Sequence, residues 1–258
     1  MAGTGVALRS RLAALAVIGV AALPLRLLLG ALVPALLSLM ALAPAVIRHT
    51  TTIAANFTEI VAVLAALAVY FRITRRGSFA EFGLSRQAAR WLPVGLLAPL
   101  AGVLLAAGTA LVTGYLPAAR TIYPGIWPVL LALAAATHAA WIEELIFRGI
   151  LRQAIEDRRN RTAAIVATAI LFVLLHLLAP FRLSAGWWGV VTVGGFGLAW
   201  SYYAARQSLW LPIGLHWGFD LWVFLLFGLP GVTRGAILWD EAGGPAVLSS
   251  RGGWVLLL

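Results

Sequence analysis

The sequence predicts an all-α, polytopic transmembrane helical bundle of about seven spans, and three observations carry that prediction. Of the 258 residues, 62% are hydrophobic and only 11% charged, whereas soluble domains sit near half apolar and a quarter charged. Apolar runs of about twenty residues, the length a helix needs to cross a hydrocarbon core about 30 Å thick, recur along the chain. The arginines fall in the gaps between those runs. A single integral membrane domain over residues 1–258 is expected, because one bundle of spans takes up the whole length.

The first apolar run follows Arg9 and Arg11. Leu12 to Leu23 resembles the core of a signal peptide, but the apolar character continues to about Ile47 without a small-x-small cleavage site, so it reads as a retained span. Pro24, Arg26 and Gly30 interrupt the stretch. The expectation is an interfacial segment followed by a span over 24–47, or eight crossings in all if 12–47 holds two. Further spans are expected at 53–71, 91–115, 126–150, 162–181, 186–205 and 209–229. His49 falls in a predicted, solvated loop. After Leu229 the chain turns Gly-rich around Pro230, Asp240, Glu241 and Pro245, which predicts an irregular tail over 230–258.

All 19 basic residues are arginine, and the formal charge is +10. In a soluble protein that balance would point to nucleic acid. Arginines at span ends instead fit topology and lipid headgroups, so the bilayer is the expected partner and nucleic acid is not. With seven crossings and a cytoplasmic N-terminus, 13 arginines lie inside. Five (Arg48, Arg120, Arg182, Arg234 and Arg251) lie outside, and Arg26 is unassigned. That bias is the positive-inside pattern, and the expected location is a bacterial plasma membrane. The absence of cysteine excludes disulfides, thiol catalysis and Cys-ligated metal.

Charged groups at mid-membrane cost roughly 2.5–3.5 kcal/mol on the mildest scale. The predicted fourth span nevertheless carries His138, Glu143, Glu144 and Arg148, the fifth His176, and the seventh His216 and Asp220. Glu144 and Arg148 share a helix face at i and i+4, which predicts a structural ion pair. Glu143 is rotated about 100° away and is left free to act as a base. His216 and Asp220 again share a face. His138 reads as a satisfied core residue. Gly194, Gly195 and Gly197 read as a close-packing surface, with room for a substrate as the alternative.

Depth sets a condition on this cluster. If the fourth helix stopped at Phe147, Glu143 would lie about 6 Å from the membrane edge and His176 about 21 Å from it. One continuous helix through Ile155 removes the conflict and is predicted. Two imidazoles, a free carboxylate and an Asp converging from three helices would hold a polarised water, with or without a metal. There is no Gly-x-Ser-x-Gly and no His-Glu-x-x-His.

Glu143-Glu144…Arg148, Phe172…His176 and His216…Asp220, in that order on separate spans, resemble the CPBP family of intramembrane proteases, also called the CAAX-protease or Abi family. Ser208 to Ile213, His216 to Phe219 and Phe82-Gly83-Leu84 add to the likeness, which predicts a protease core over 80–229. The last motif has Asp where many members have Asn, which adds a negative charge. The resemblance implies that Glu143, assisted by His176, activates water. It also implies that His216 and Asp220 polarise the substrate carbonyl, and that Glu144, Arg148 and Phe172 support the site. The same four residues Glu143, His176, His216 and Asp220 would be the ligands if zinc were used; the family chemistry is also written without metal. The implied partner is a membrane peptide or protein. Two other readings stand beside it: a catalytically silent scaffold or immunity protein, and a proton or metal transporter.

Overall fold

A computed structural model describes residues 3–40, 42–75, 77–113, 126–178 and 185–227, and every regular element among them is helical. Helix α1 spans Gly3–Ser38, α2 Pro44–Thr74, α3 Trp91–Val112 and α4 Ile126–Glu144. A π-helical segment, Leu145–Leu151, joins α4 to α5, Arg152–Glu156. Then come α6 at Arg161–Leu175, a 3-10 turn at His176–Leu178, α7 at Ala185–Ala204 and α8 at Trp210–Phe227. The expected tail at 230–258, and Arg120, Arg182, Arg234 and Arg251, lie outside the described residues.

Among the described residues, three helices are long and apolar enough to cross a membrane: Pro44–Thr74, Trp91–Thr109 and the continuous Ile126–Glu156. Shorter apolar helices cover Leu27–Ser38, Arg161–Leu175 and Trp210–Leu226. The bundle is inside-out relative to a soluble protein. Leu105 is 72% and Trp200 62% exposed, while Glu144 and Arg148 are fully buried. Apolar side chains turned outward and charges turned inward match a lipid surround. The chain is an integral membrane helical bundle.

The N-terminal expectation is corrected. In place of an interfacial segment, a span over 24–47 and a second over 53–71, the chain forms two long helices, one ending at Ser38 and the next starting at Pro44. Pro24 and Pro34 lie inside α1 without ending it, as prolines in apolar helices often do when no competing partner for the backbone is at hand. The boundary is set instead by Pro44, which occupies the first turn of α2. Proline favours that position and forces the residue before it to be extended. Ala43 accordingly sits at φ −59°, ψ 139°. Arg48 and His49 therefore belong to α2 and not to a loop, and the His49 ring packs 5.7 Å from that of Trp127.

The predicted continuous fourth helix is present and runs to Glu156, with the π segment inserted. Helix α6 starts where Asn160 caps it, its side chain accepting from the Ala163 N–H at 2.8 Å. By helix rise, Glu143 lies about 20 Å from the Glu156 end and His176 about 22 Å from the Arg161 start, so the two fall at similar depth.

Helix α8 packs between α3 and α4. Its glycines make the α3 contact possible. A Cβ on Gly214 would meet the Leu92 carbonyl at 2.5 Å, and one on Gly95 would meet the Leu211 carbonyl at 2.6 Å. A Cβ on Gly218 would strike the Leu96 carbonyl. Trp222 Nε1 donates to that same carbonyl at 2.9 Å. Small residues four apart allow backbones to approach this closely. His216 and Asp220, two residues on from each glycine, are thereby turned away from α3. Gly218→Ala is expected to cost about 1–3 kcal/mol through overpacking and to lower the thermal-unfolding midpoint in detergent. Gly102→Ala, whose Cβ would meet nothing within 4 Å, should leave it unchanged.

Candidate active site

The centre of the site is the Glu144 carboxylate. Arg148 Nη1 donates to Glu144 Oε1 at 2.7 Å, and both side chains are fully buried. The same oxygen lies 2.9 Å from His216 Nδ1, so Glu144 joins α4 to α8 as well as to its own helix. Arg148 Nη2 donates to the Gly195 carbonyl of α7 at 2.9 Å. His216 Nε2 faces Asp220 Oδ2 at 3.4 Å. Both imidazole nitrogens thus confront carboxylate oxygens, an arrangement that an imidazolium satisfies with two donors.

Phe172 is the apolar core of the cluster. Its ring is 4.8 Å from that of His176, 5.8 Å from that of His216 and 5.5 Å from that of Phe147. The Arg148 guanidinium lies 4.5 Å from its centroid, a cation–π contact in a desolvated place. His176 begins the 3-10 turn after α6, with Nδ1 2.9 Å from the Phe172 carbonyl. A carbonyl only accepts, so Nδ1 carries the proton and Nε2 presents its lone pair. A Cβ on Gly195 would lie 3.3 Å from Phe172 Cδ1, whereas one on Gly194 or Gly197 would meet nothing within 4 Å. The close-packing reading therefore holds for Gly195 alone of the three.

Glu143 sits one residue before this ion pair. Its Oε2 is buried and has no hydrogen-bond partner. His216, His176, Asp220 and Glu144 are all near enough to act on it electrostatically. The tertiary structure thus gathers Glu143, His176, His216 and Asp220, from α4, the α6 end and α8, around Glu144, Arg148 and Phe172. The fit to a metal is poor. Among the described residues, no three His, Asp or Glu side chains converge as a metal requires, and both nitrogens of His216 already face carboxylates.

Two polar features escaped the sequence reading. Glu59, a lone acid in the α2 run, lies 3.1 Å from His138 Nε2, so His138 belongs to an α2–α4 pair away from the cluster. The signal was a single Glu inside an apolar stretch, which calls for a partner on another span. Arg152, read as a topological charge, is 4% exposed and buried beneath the site.

Fold and site together define a membrane-embedded cluster of paired glutamate and histidine side chains. Residues 125–222 match the family profile of the Type II CAAX prenyl endopeptidase Rce1-like proteins. That stretch is similar to the CAAX-protease family and holds Glu143, Glu144, Arg148, Phe172, His176, His216 and Asp220, the residues on which the sequence resemblance rests. Comparison with curated proteins and with solved structures returned no match.

Removing one partner of a buried ion pair strands the other charge and costs about 3–5 kcal/mol. Arg148→Met is expected to destabilise the detergent-solubilised protein by that order in thermal unfolding. Arg148→Lys should not recover it, since an ammonium lacks the planar fork that spans Glu144 and Gly195. An unchanged midpoint in either variant would show that the pair is not buried.

Proposed function

We propose that this protein is an intramembrane endopeptidase of glutamate type, with Glu143, His176, His216 and Asp220 as its reacting and orienting groups. The observation that carries this reading is the buried, unpartnered carboxylate oxygen of Glu143 within electrostatic reach of both histidines. Glu143 takes a proton from a water that is also held by His176 Nε2. The water oxygen bonds to the carbonyl carbon of the peptide. The His216 Nε2–H leaves its long 3.4 Å contact with Asp220 and donates to the developing oxyanion, which a preformed donor in a dry site stabilises strongly. Glu143 then returns the proton to the departing amine nitrogen as the C–N bond breaks. Glu144, fixed by Arg148, holds the His216 ring in place.

The substrate class is a peptide or protein segment presented within the bilayer, and residues 80–229 form the catalytic core of the single membrane domain. The location is a bacterial plasma membrane, and the arginine bias supports an N-terminus in the cytoplasm. General acid–base groups contribute about 10²–10⁴-fold. Glu143→Gln and His176→Ala are each expected to reduce cleavage of a membrane-peptide panel by that range in purified, lipid-reconstituted protein, with unfolding midpoints close to native. Retained cleavage by Glu143→Gln would remove Glu143 as the base, whereas no cleavage by the native protein would leave a silent scaffold or a transporter as the better description.

A further inference from the structure

The two glutamates of the site end the α-helical part of their span, and the π segment Leu145–Leu151 starts at the next residue. A π turn closes i→i+5 hydrogen bonds, so where it rejoins an α-helix one carbonyl loses the amide that α geometry would supply. That carbonyl can be identified. The Arg152 N–H, which in an α-helix would bond the Arg148 carbonyl, reaches the Phe147 carbonyl instead. The Arg148 carbonyl accepts from the Arg152 side chain, Nε to O at 2.8 Å. Arg152 therefore satisfies with its guanidinium the acceptor that its own backbone has left.

The remaining guanidinium donors are committed as well. Nη1 bonds Glu156 Oε2, and Nη2 donates to the Tyr202 hydroxyl at 3.1 Å. The guanidinium lies 4.1 Å from the Tyr202 centroid. The Tyr203 hydroxyl donates to the same Glu156 oxygen at 2.8 Å, and Arg161 covers the Tyr203 ring at 3.9 Å. A buried guanidinium is tolerated only when paired this fully. The network ties the π segment to α5, to the start of α6 and to the end of α7.

We propose that Arg152 is a positioning residue that locks the π register of the catalytic helix, and so sets the rotation at which Glu143 and Glu144 meet His176 and His216, an inference whose catalytic arm rests on the endopeptidase reading. Without that side chain, the Arg152 N–H and the Arg148 carbonyl satisfy each other in α geometry. Closing the extra residue out of the turn rotates the part before it by about 100° relative to residues 152–156. Glu144 then leaves His216.

The chain has no cysteine, so an engineered pair reports this register without background. A Cβ on Gly149, inside the π segment, would lie 3.3 Å from Leu209 Cδ1 at the foot of α8. In the full chain in lipid, the pair G149C and L209C is expected to oxidise to a disulfide, and adding Arg152→Gln should lower the yield several-fold. Arg152→Gln alone should cut turnover about tenfold or more with KM unchanged, the mark of an interaction that matters in the transition state. Oxidising the pair in the Arg152→Gln background should restore turnover, a rescue that general destabilisation would not give. If Arg152→Gln does not accumulate, Arg152→Lys, which lacks the Nε donor, takes its place with the same expectations. Equal disulfide yield with and without Arg152, no disulfide in the otherwise native chain, or native turnover despite a lowered yield would each overturn the lock. Failure of the native chain to cleave any peptide would count against the endopeptidase reading alone, since the disulfide yields test the register independently.

Discussion

One carboxylate oxygen, Glu144 Oε1, accepts from Arg148 at 2.7 Å and lies 2.9 Å from His216 Nδ1, and the rest of the site is arranged about it. A charge buried in hydrocarbon is held only when paired and hydrogen-bonded. Glu144 meets that condition twice, once within its own helix and once across to α8. Because the second bond reaches a histidine, pairing the carboxylate also orients an imidazole. Arg148 extends the constraint to α7 through the Gly195 carbonyl. Helices α4, α7 and α8 are thus connected through three polar contacts around a fully buried pair.

Packing completes what the charges begin. In a bilayer, apolar surface gains little by leaving lipid for another apolar surface, so close backbone approach and polar contacts carry helix association. Gly214 and Gly218 bring α8 against α3, which leaves the face bearing His216 and Asp220 to meet α4. Phe172 fills the space between the two histidines and the guanidinium. Its ring serves as a hydrophobic wall and, toward Arg148, as a weak acceptor of positive charge. The Glu59–His138 pair ties α2 to α4 on another face, so α4 is held from two sides.

The π segment reconciles two demands on that helix. Its α-helical part presents Glu143 and Glu144 to the cluster, while residues 152–156 engage Tyr202 and Tyr203 of α7. A uniform α-helix fixes the angle between those two faces. One wider turn changes it, at the expense of a carbonyl that Arg152 then serves. π turns recur at functional sites for this kind of reason.

Much of this was legible in the chain alone. Composition and run length determined a membrane bundle, because hydrocarbon thickness dictates helix length regardless of packing. The cost of intramembrane charge singled out Glu143, Glu144, Arg148, His176, His216 and Asp220, and the Glu144–Arg148 pair followed from i,i+4 spacing, a local relation. The helix boundary at Pro44 was misplaced because Pro24 and Gly30 looked like stronger interruptions than an apolar surround makes them. What only the tertiary structure decided was every relation between helices: that Glu144 also reaches His216, that Phe172 lies between two imidazoles, that Glu59 meets His138, and that Arg152 supports a π turn. Sequence spacing encodes which residues share a face of one helix. It does not encode the rotation and depth at which separate helices meet, and in a low-dielectric interior those two quantities decide which charges find partners.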